Sequence, residues 1–276
     1  MIETADLFSI LKAIVVTGGL ILNAFRGRVE NVPKKSDLPA DKVKESSTAH
    51  TLVDDLVQEI ALEILYTSLP EVRINVEEVT SRTELFRDNK SSLCFHLDPL
   101  DGTLAYLKNR DDFAIGAAFS HDLHFVAAAI YFPVLDRLYY AEKGQGVRLL
   151  TGLGSELVFS RPNKAERRYV QKRCDDLLPV VQEMGLQPFD TLSAHHGMIA
   201  IAEGNARVEM YHMASPHDFG IPKVIVEEAG GICTDLDGNP IVFTPDFKRL
   251  PYFLAFYDRK TCNEFFRIFK KADKQF

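Results

Sequence analysis

The segment HLDPLDGTLAY, residues 96–106, places two aspartates at the end of an otherwise apolar stretch. Asp98 and Asp101 sit on one predicted turn, and Pro99 restrains the backbone between them. An Asp-Gly pair is also a common surface turn, so this segment alone does not distinguish a solvated turn from a cation site. Two carboxylates held on one turn can share hard cations, and the carbonyl of Leu100 offers a further oxygen.

The residues that follow the second aspartate suit a phosphate group. Gly102 has no side chain to obstruct a ligand, and Thr103 can cap the helix that LAYLK predicts. The N-terminus of a helix presents free N–H groups and the positive end of its dipole. One short stretch would therefore supply metal ligands and phosphate contacts side by side, which metal-assisted hydrolysis of a phosphate ester requires.

Further carboxylates fall at the ends of other predicted elements. Glu77 follows the strand predicted from VRINVEEV, and Asp218 begins the helix predicted from DFGIPKVIVEEAGG. Thr51 and Asp54 form a capping-box pattern at the start of a helix. Asp54 can stabilise that helix dipole without a metal, so a structural and a catalytic role are both open.

Other polar groups receive simpler interpretations. The pairs His195–His196 and His212–His217 suit softer ions than the carboxylates do, so we do not expect them to be ligands. The segment KGQGV, residues 143–147, predicts a hairpin rather than a nucleotide site. A basic cluster is predicted to be a solvated surface, with a second phosphate as its alternative ligand. It comprises Arg161, Lys164, Arg167 and Arg168.

The composition limits the partners of this 276-residue chain, which carries a net charge of −7. Nucleic acid is disfavoured because binding to a phosphate backbone usually needs a basic surface, although bound cations can still attract an anionic substrate.

The four cysteines form no Cys-x-x-Cys pair, so we expect buried thiols in a reducing compartment. The apolar run at 13–22 is too short to span a bilayer, and we expect it to be the buried middle of a first helix.

Hydrophobic spacing predicts helices first, then strands, then a mixture of both. The predicted helices span 4–25, 51–70, 168–185, 193–204 and 218–229. A run of antiparallel strands over 111–150, followed by alternating elements, indicates an α+β fold. We expect an α+β part over 1–150 that carries the metal motif and an α/β part over 151–276 that completes the site. The polar segment 26–47 predicts a solvated, mobile connection.

The motif DPLDGT at 98–103 resembles the signature of the inositol monophosphatase superfamily, with VEE at 76–78 before it and HDFGIPKVIVEEAGG at 217–231 after it. The resemblance extends over nearly the whole chain, from TLVDD to GGICTDLDG. It implies a layered αβαβα sandwich of the inositol monophosphatase and sugar phosphatase type. It also implies a Mg²⁺-dependent, lithium-sensitive phosphomonoesterase that holds two or three Mg²⁺ ions and acts by direct attack of a metal-bound water.

The same resemblance implies roles for individual residues. The implied metal ligands are Glu77, Asp98, the Leu100 carbonyl, Asp101 and Asp218. Asp54 matches an acid linked to a third ion, and Glu77 with Thr103 matches the pair that orients the attacking water. The implied substrate contacts are Gly102, Thr103, Ser193, Ala194 and Glu209, and Tyr211 competes with Glu209 because the spacing to Asp218 is off by two.

Three departures from the family pattern affect the substrate rather than the metal. Val76 and Leu192 replace glycines, and His217 replaces a tryptophan. We expect Leu192 and His217 near the pocket wall. An inositol or sugar monophosphate is the favoured substrate, and a 3′(2′),5′-bisphosphate nucleotidase acting on 3′-phosphoadenosine 5′-phosphate is the alternative. A metal- and phosphate-binding regulatory protein with little turnover is the alternative from another class. We expect a cytoplasmic protein without nucleic-acid or membrane partners, and the resemblance suggests a homodimer.

Overall fold

A computed structural model describes residues 4–35 and 43–273. The helices are α1 (Thr4–Phe25), α2 (Glu45–Thr48), α3 (Leu52–Ser68), α4 (Thr103–Leu107), α5 (Leu178–Glu183), α6 (Ala194–Glu203), α7 (Pro216–Glu228) and α8 (Arg259–Asp273). The strands are β1 (Arg73–Val76), β2 (Leu93–Asp101), β3 (Ala114–His121), β4 (His124–Phe132), β5 (Arg137–Glu142), β6 (Gly146–Leu150), β7 (Glu156–Leu157), β8 (Arg168–Lys172), β9 (Gln187–Pro188), β10 (Val208–Ala214), β11 (Ile232–Thr234) and β12 (Leu250–Phe256).

The first sheet contains β1 to β7 in sequential order. β1 and β2 run parallel, and the remaining neighbours are antiparallel. β2 lies between β1 and β3, and all nine of its residues are buried. Its register with β3 shifts between Asp98 and Asp101, which places both aspartates at a bulge. Bulges redirect side chains out of the regular ladder, so this one sets where the two carboxylates lie.

The second sheet has the order β11-β12-β10-β8-β9. The helix predicted over 168–185 is wrong in its first part, because Arg168–Lys172 form β8 and α5 begins only at Leu178. β8 pairs in parallel with β10, and Tyr169 and Val170 are buried. These residues favour strands, and pairing with distant strands decides between the two structures.

Helices alternate with the sheets to give five layers. α1 and α3 pack on one side of the first sheet, α6 and α7 lie between the sheets, and α5 and α8 lie against the far side of the second. Gly18 and Gly19 allow the close approach of α1, since a Cβ at Gly19 would lie 2.6 Å from Tyr131 Cε1. The expected α+β fold and αβαβα sandwich are confirmed. The division at residue 150 stays a prediction, and α6 and α7 of the second part pack against the first sheet.

The connection predicted to be mobile is only partly described, because residues 36–42 lie outside the described residues. Before this gap, the backbone N–H groups of Val32 and Lys34 donate hydrogen bonds of 2.8 and 3.0 Å to carbonyls just before α3. After it, α2 forms a helical turn. The described part of the connection is therefore attached to the start of α3.

The first helix includes a stretch, Leu7–Phe25, with a mean hydropathy of 1.9, long and apolar enough to cross a membrane by length and composition alone. Buried core helices have the same character. Leu11, Val15 and Leu22 of this helix are buried in the core beside the first sheet, as expected. All four cysteines are buried thiols, also as expected.

Candidate active site

An open cavity of about 430 Å³ lies beside the bulge of β2. Five residues that line it carry oxygen atoms of the kind that bind hard cations: Glu77, Asp98, Leu100, Asp101 and Asp218. They come from the end of β1, the bulge of β2 and the first turn of α7. The structure therefore brings together the five residues that were predicted to bind metal.

The carboxylates of this cavity repel one another. Burial raises the pKa of Asp98 well above its usual value, and the charges of Glu77 and Asp101 raise it further. Burial also raises the pKa of Asp218, although Lys172 opposes the shift. A divalent cation would relieve this repulsion, and an all-oxygen donor set suits a hard ion such as Mg²⁺.

Lys34 supplies a positive charge at one edge of the cluster. Its Nζ donates a hydrogen bond of 2.8 Å to Glu77 and another to Glu78. Burial alone would raise the pKa of Glu77, but the Lys34 ammonium outweighs this effect and lowers it to about 2. Lys34 was not predicted from the sequence, because nothing in its polar segment distinguishes it from the neighbouring lysine.

Asp101 is fixed by the N-terminus of α6. Its carboxylate accepts a hydrogen bond from Ser193 Oγ and bonds of 3.0 Å from the backbone N–H groups of Ala194 and His195. Ser193 and Ala194 are buried behind Asp101 and do not line the cavity. Their contact with substrate stays a prediction, and here they orient a carboxylate.

Thr103 connects the cavity to Asp54. Asp54 accepts hydrogen bonds of 2.9 and 2.6 Å from the N–H and hydroxyl of Thr51, which confirms the predicted capping box. Thr103 Oγ1 lies 3.2 Å from Asp54 Oδ1 and 3.0 Å from the Leu100 carbonyl oxygen, and Thr103 lines the cavity with Gly102. Burial raises the pKa of Asp54 to about 6. Asp54 can therefore act on the cavity through Thr103, and its metal role stays a prediction.

Glu209 and Tyr211 lie on β10, further inside the protein. Both oxygens of the fully buried Glu209 lack a hydrogen-bond partner among the described residues, and burial raises its pKa well above the usual value. Tyr211 packs on Phe219 with ring centroids 3.9 Å apart. Neither residue lines the cavity, so the choice between them as a substrate contact stays open.

Four basic residues line the cavity in addition to the lysines of the connection. We call them the basic wall: Lys172, Arg173, Lys248 and Arg249. Lys172 and Arg173 lie at and just after the end of β8, while Lys248 and Arg249 directly precede β12. Both strands flank β10, which leads into the turn that carries Asp218.

The basic cluster predicted from sequence lies elsewhere. Arg161 donates hydrogen bonds to the carbonyls of Ala229 and Tyr257, and Arg168 pairs with Glu166 at 3.0 Å. Leu192 and His217 do line the cavity, as expected. The basic wall was not predicted from the sequence, because Lys172 and Arg173 were assigned to a helix interior rather than to a strand end.

The sequence model of the inositol monophosphatase family matches residues 6–251. The 3′(2′),5′-bisphosphate nucleotidase CysQ of Salmonella typhimurium is 24% identical over 207 residues, covering 73% of this chain and 82% of that protein. A fructose-1,6-bisphosphatase/inositol-1-monophosphatase of Aquifex aeolicus is 26% identical, with 84% and 86% covered. The Nus factor SuhB of Escherichia coli is 26% identical, with 71% and 75% covered.

Solved structures show the same fold. An IMPase of Thermotoga maritima superimposes with a TM-score of 0.73 at 21% identity, covering 96% of this chain and 97% of that one. The extragenic suppressor protein suhB of Bartonella henselae also gives a TM-score of 0.73 at 21% identity, with 96% and 98% covered. Both of these proteins therefore share the layered sandwich fold with this chain.

Proposed function

Because the chain belongs to the inositol monophosphatase family, we propose that it is a Mg²⁺-dependent phosphomonoesterase that acts on a small phosphorylated metabolite. The observation that carries this proposal is the convergence of Glu77, Asp98, Asp101 and Asp218 on one cavity, with the Leu100 residue beside them. Carboxylate and carbonyl oxygens are the ligands that Mg²⁺ prefers, and two or three ions remain part of the proposal.

Different residues at this cavity would have different roles in hydrolysis. When bound, Mg²⁺ would lower the pKa of a water molecule and stabilise negative charge on the leaving oxygen. Glu77 would accept a proton from the attacking water, and Thr103, held near Asp54, would orient that water. Gly102 lines the cavity at the start of α4 and would face the phosphate, while a Cβ there would crowd Ser193 Cβ at 3.0 Å. We propose direct attack on phosphorus without a phosphoenzyme, with Ser193, Ala194 and Glu209 or Tyr211 toward the substrate.

The basic wall favours a second candidate substrate, a bisphosphate, over the monophosphate favoured by sequence. Arg173 is 8% exposed, and among the described residues no carboxylate lies within 4.0 Å of its guanidinium. Its Nε donates a hydrogen bond of 3.0 Å to the His212 carbonyl and one Nη donates a bond of 3.4 Å to the Met213 carbonyl, which leaves further N–H donors for a ligand. A neutral polyol would leave this buried guanidinium without a counter-charge in direct contact, whereas a second phosphate would supply one.

Matched substrates test this choice. The assay measures Mg²⁺-dependent phosphate release, with and without lithium, from inositol 1-phosphate and inositol 1,4-bisphosphate, and from adenosine 3′-phosphate and 3′-phosphoadenosine 5′-phosphate. We expect kcat/KM to favour the bisphosphate of each pair by about 10-fold or more, since hydrogen bonds to charged groups contribute roughly 1.5–3 kcal/mol. Arg173→Gln should bring this ratio toward one. Lys164→Gln removes a charge outside the cavity and should leave the ratio unchanged.

Each outcome of this assay has a separate meaning. Equal rates within each pair would contradict the bisphosphate candidate and leave the monophosphate one. No release from any substrate would contradict the phosphatase proposal itself. That last result would favour the alternative of a metal- and phosphate-binding regulatory protein. Relatives named Nus factor SuhB are a reason to keep this alternative. Homodimer formation, a cytoplasmic location and the absence of nucleic-acid and membrane partners remain part of the proposal.

Leu192→Gly should alter the ranking of substrates more than the affinity for metal. Leu192 lines the cavity, and its N–H donates a hydrogen bond of 2.8 Å to Asp112, which a glycine can retain. Removal of the side chain widens the wall without touching a carboxylate of the cluster. We expect KM ratios within the panel to change by about 3-fold or more, as a few buried methylene groups would. An unchanged ranking would place Leu192 outside the substrate contact.

A further inference from the structure

His195, in the first turn of α6, has no role in the hydrolysis proposed above. Its side chain is fully buried, and its Nε2 lies 3.1 Å from the carbonyl oxygen of His217. A carbonyl oxygen only accepts hydrogen bonds, so Nε2 carries the ring proton. In the neutral ring Nδ1 then presents a lone pair.

That lone pair points at no hydrogen-bond donor. Nδ1 is buried without a hydrogen-bond partner among the described residues. It lies 4.0 Å from Oδ2 of Asp101. A ring nitrogen of His195 and one oxygen from each of Asp98 and Asp101 all lie within 4.8 Å of one another. Asp101 also accepts hydrogen bonds from the N-terminus of α6, whereas Nδ1 has no donor, and a cation beside these converging buried atoms would be stabilised.

The surroundings hold the His195 ring in this position. A Cβ at Gly116 on β3 would lie 2.7 Å from Nδ1, so the ring packs directly on the backbone of the strand beside β2. The backbone N–H of His195 also donates a hydrogen bond of 3.0 Å to Asp101. Histidines that bind metal usually donate their other ring N–H to a carbonyl or carboxylate, as His195 does to His217.

We propose that His195 Nδ1 is a ligand of a cation held with Asp98 and Asp101. Imidazole nitrogen suits borderline transition-metal ions, whereas Mg²⁺ prefers oxygen. This position therefore binds Zn²⁺ or Mn²⁺ more tightly than an all-carboxylate site would. A histidine ligand was not expected from the sequence, and only the docking of α6 against β2 and β3 brings this one to the aspartates. The inference rests on the proposed metal site but not on the substrate.

Calorimetric titration of the full metal-free chain with Zn²⁺ and with Mg²⁺ tests the proposal. His195→Gln can keep an N–H donor toward the His217 carbonyl but has no atom equivalent to Nδ1. We expect it to weaken Zn²⁺ binding at least about 10-fold while Mg²⁺ binding changes less. His196→Gln is the matched control, because Nδ1 of His196 lies 3.1 Å from Thr191 Oγ1 and His196 is not part of the group that converges with Asp98 and Asp101. Equal Zn²⁺ affinity in wild type and His195→Gln would overturn the proposal.

A spectroscopic measurement on the wild-type protein tests the proposal even if a variant fails to fold. Pulsed EPR of Mn²⁺ bound to protein carrying ¹⁵N-labelled histidine should show a directly coupled nitrogen in the wild type and in His196→Gln. It should be absent from His195→Gln. Bound Mn²⁺ without nitrogen coupling in the wild type would overturn the proposal and leave the Mg²⁺ site intact. Failure of every divalent ion to bind would contradict this proposal and the proposed function together.

Discussion

Asp98→Asn lowers kcat for the preferred substrate by about 1,000-fold or more and leaves the fold intact. The expected loss is large because electrostatic stabilisation of the reacting groups depends on ions that the carboxylates hold. Asparagine retains an oxygen to accept the 3.1 Å hydrogen bond from the Leu100 N–H, so the turn should persist. Phosphate release at saturating Mg²⁺ and far-UV circular dichroism measure the two parts of this expectation.

The same variant should be more stable than the wild type in the absence of metal. Burial and neighbouring carboxylates raise the pKa of Asp98, so this carboxyl reduces the free energy of unfolding at a pH above its usual pKa. Its removal should raise that free energy by about 1–3 kcal/mol near pH 8. The gain should shrink as the pH falls toward about 3.9, where the carboxyl is protonated in both states. Urea unfolding in EDTA at about pH 8 and about pH 5 checks the direction.

Asp122→Asn is the matched control for Asp98→Asn. Asp122 is exposed at the turn between β3 and β4 with φ of 46°, a conformation that asparagine also adopts. Its activity and metal-free stability should equal those of the wild type. Turnover near normal in Asp98→Asn would remove Asp98 from the metal ligands. A loss of stability without metal would contradict the repulsion inferred among the carboxylates.

Gly116→Ala lowers the free energy of unfolding by about 2–3 kcal/mol through overpacking. The new methyl group would lie 2.7 Å from His195 Nδ1, and the ring is restrained by its hydrogen bond to the His217 carbonyl. The central position of β3 in its sheet leaves little freedom to move the backbone instead. Since His195 also anchors Asp101, kcat should fall about 100-fold, as small misplacements of reacting groups cause. Urea unfolding and phosphate release measure both effects.

Gly144→Ala separates this steric effect from a general effect of losing a glycine. Gly144 has φ of +81° and no atom within 4 Å of its would-be Cβ. Alanine there should cost about 1–2 kcal/mol for the left-handed conformation and leave kcat unchanged. Equal losses of stability with unchanged activity in both variants would show that contact with His195 is not the cause.

The carboxylates of the candidate site could be predicted from sequence because they are close to strand or helix ends that local patterns identify. Asp98 and Asp101 share one turn, so their proximity needs no knowledge of the fold. Glu77 and Asp218 were singled out at the ends of predicted elements and given ligand roles by the family resemblance, and the pairing of β1 with β2 and the docking of α7 now place them at the same cavity.

The remainder of the site depends on contacts between distant segments. The positions of Ser193 and Ala194 behind Asp101 follow from the docking of α6 on the first sheet, which no local pattern reports. Lys172 was misplaced because the apolar residues of 168–185 fit a helix until pairing with β10 is known. Lys34 reaches Glu77 across 43 positions of sequence, through a segment whose composition resembles any solvated connection.

The placement of β2 between two neighbouring strands limits both the local opening of its backbone and the effect of mutations elsewhere in the site. Backbone amides in the centre of a sheet exchange with solvent mainly through global unfolding, so those of β2 should be among the most protected. The basic wall instead follows or precedes strand ends, where local opening requires less free energy. Mutations at the basic wall can therefore accumulate without loosening the strand that carries Asp98 and Asp101. Substrate preference can diverge between descendants of such a protein while the ion-binding strand is inherited unchanged.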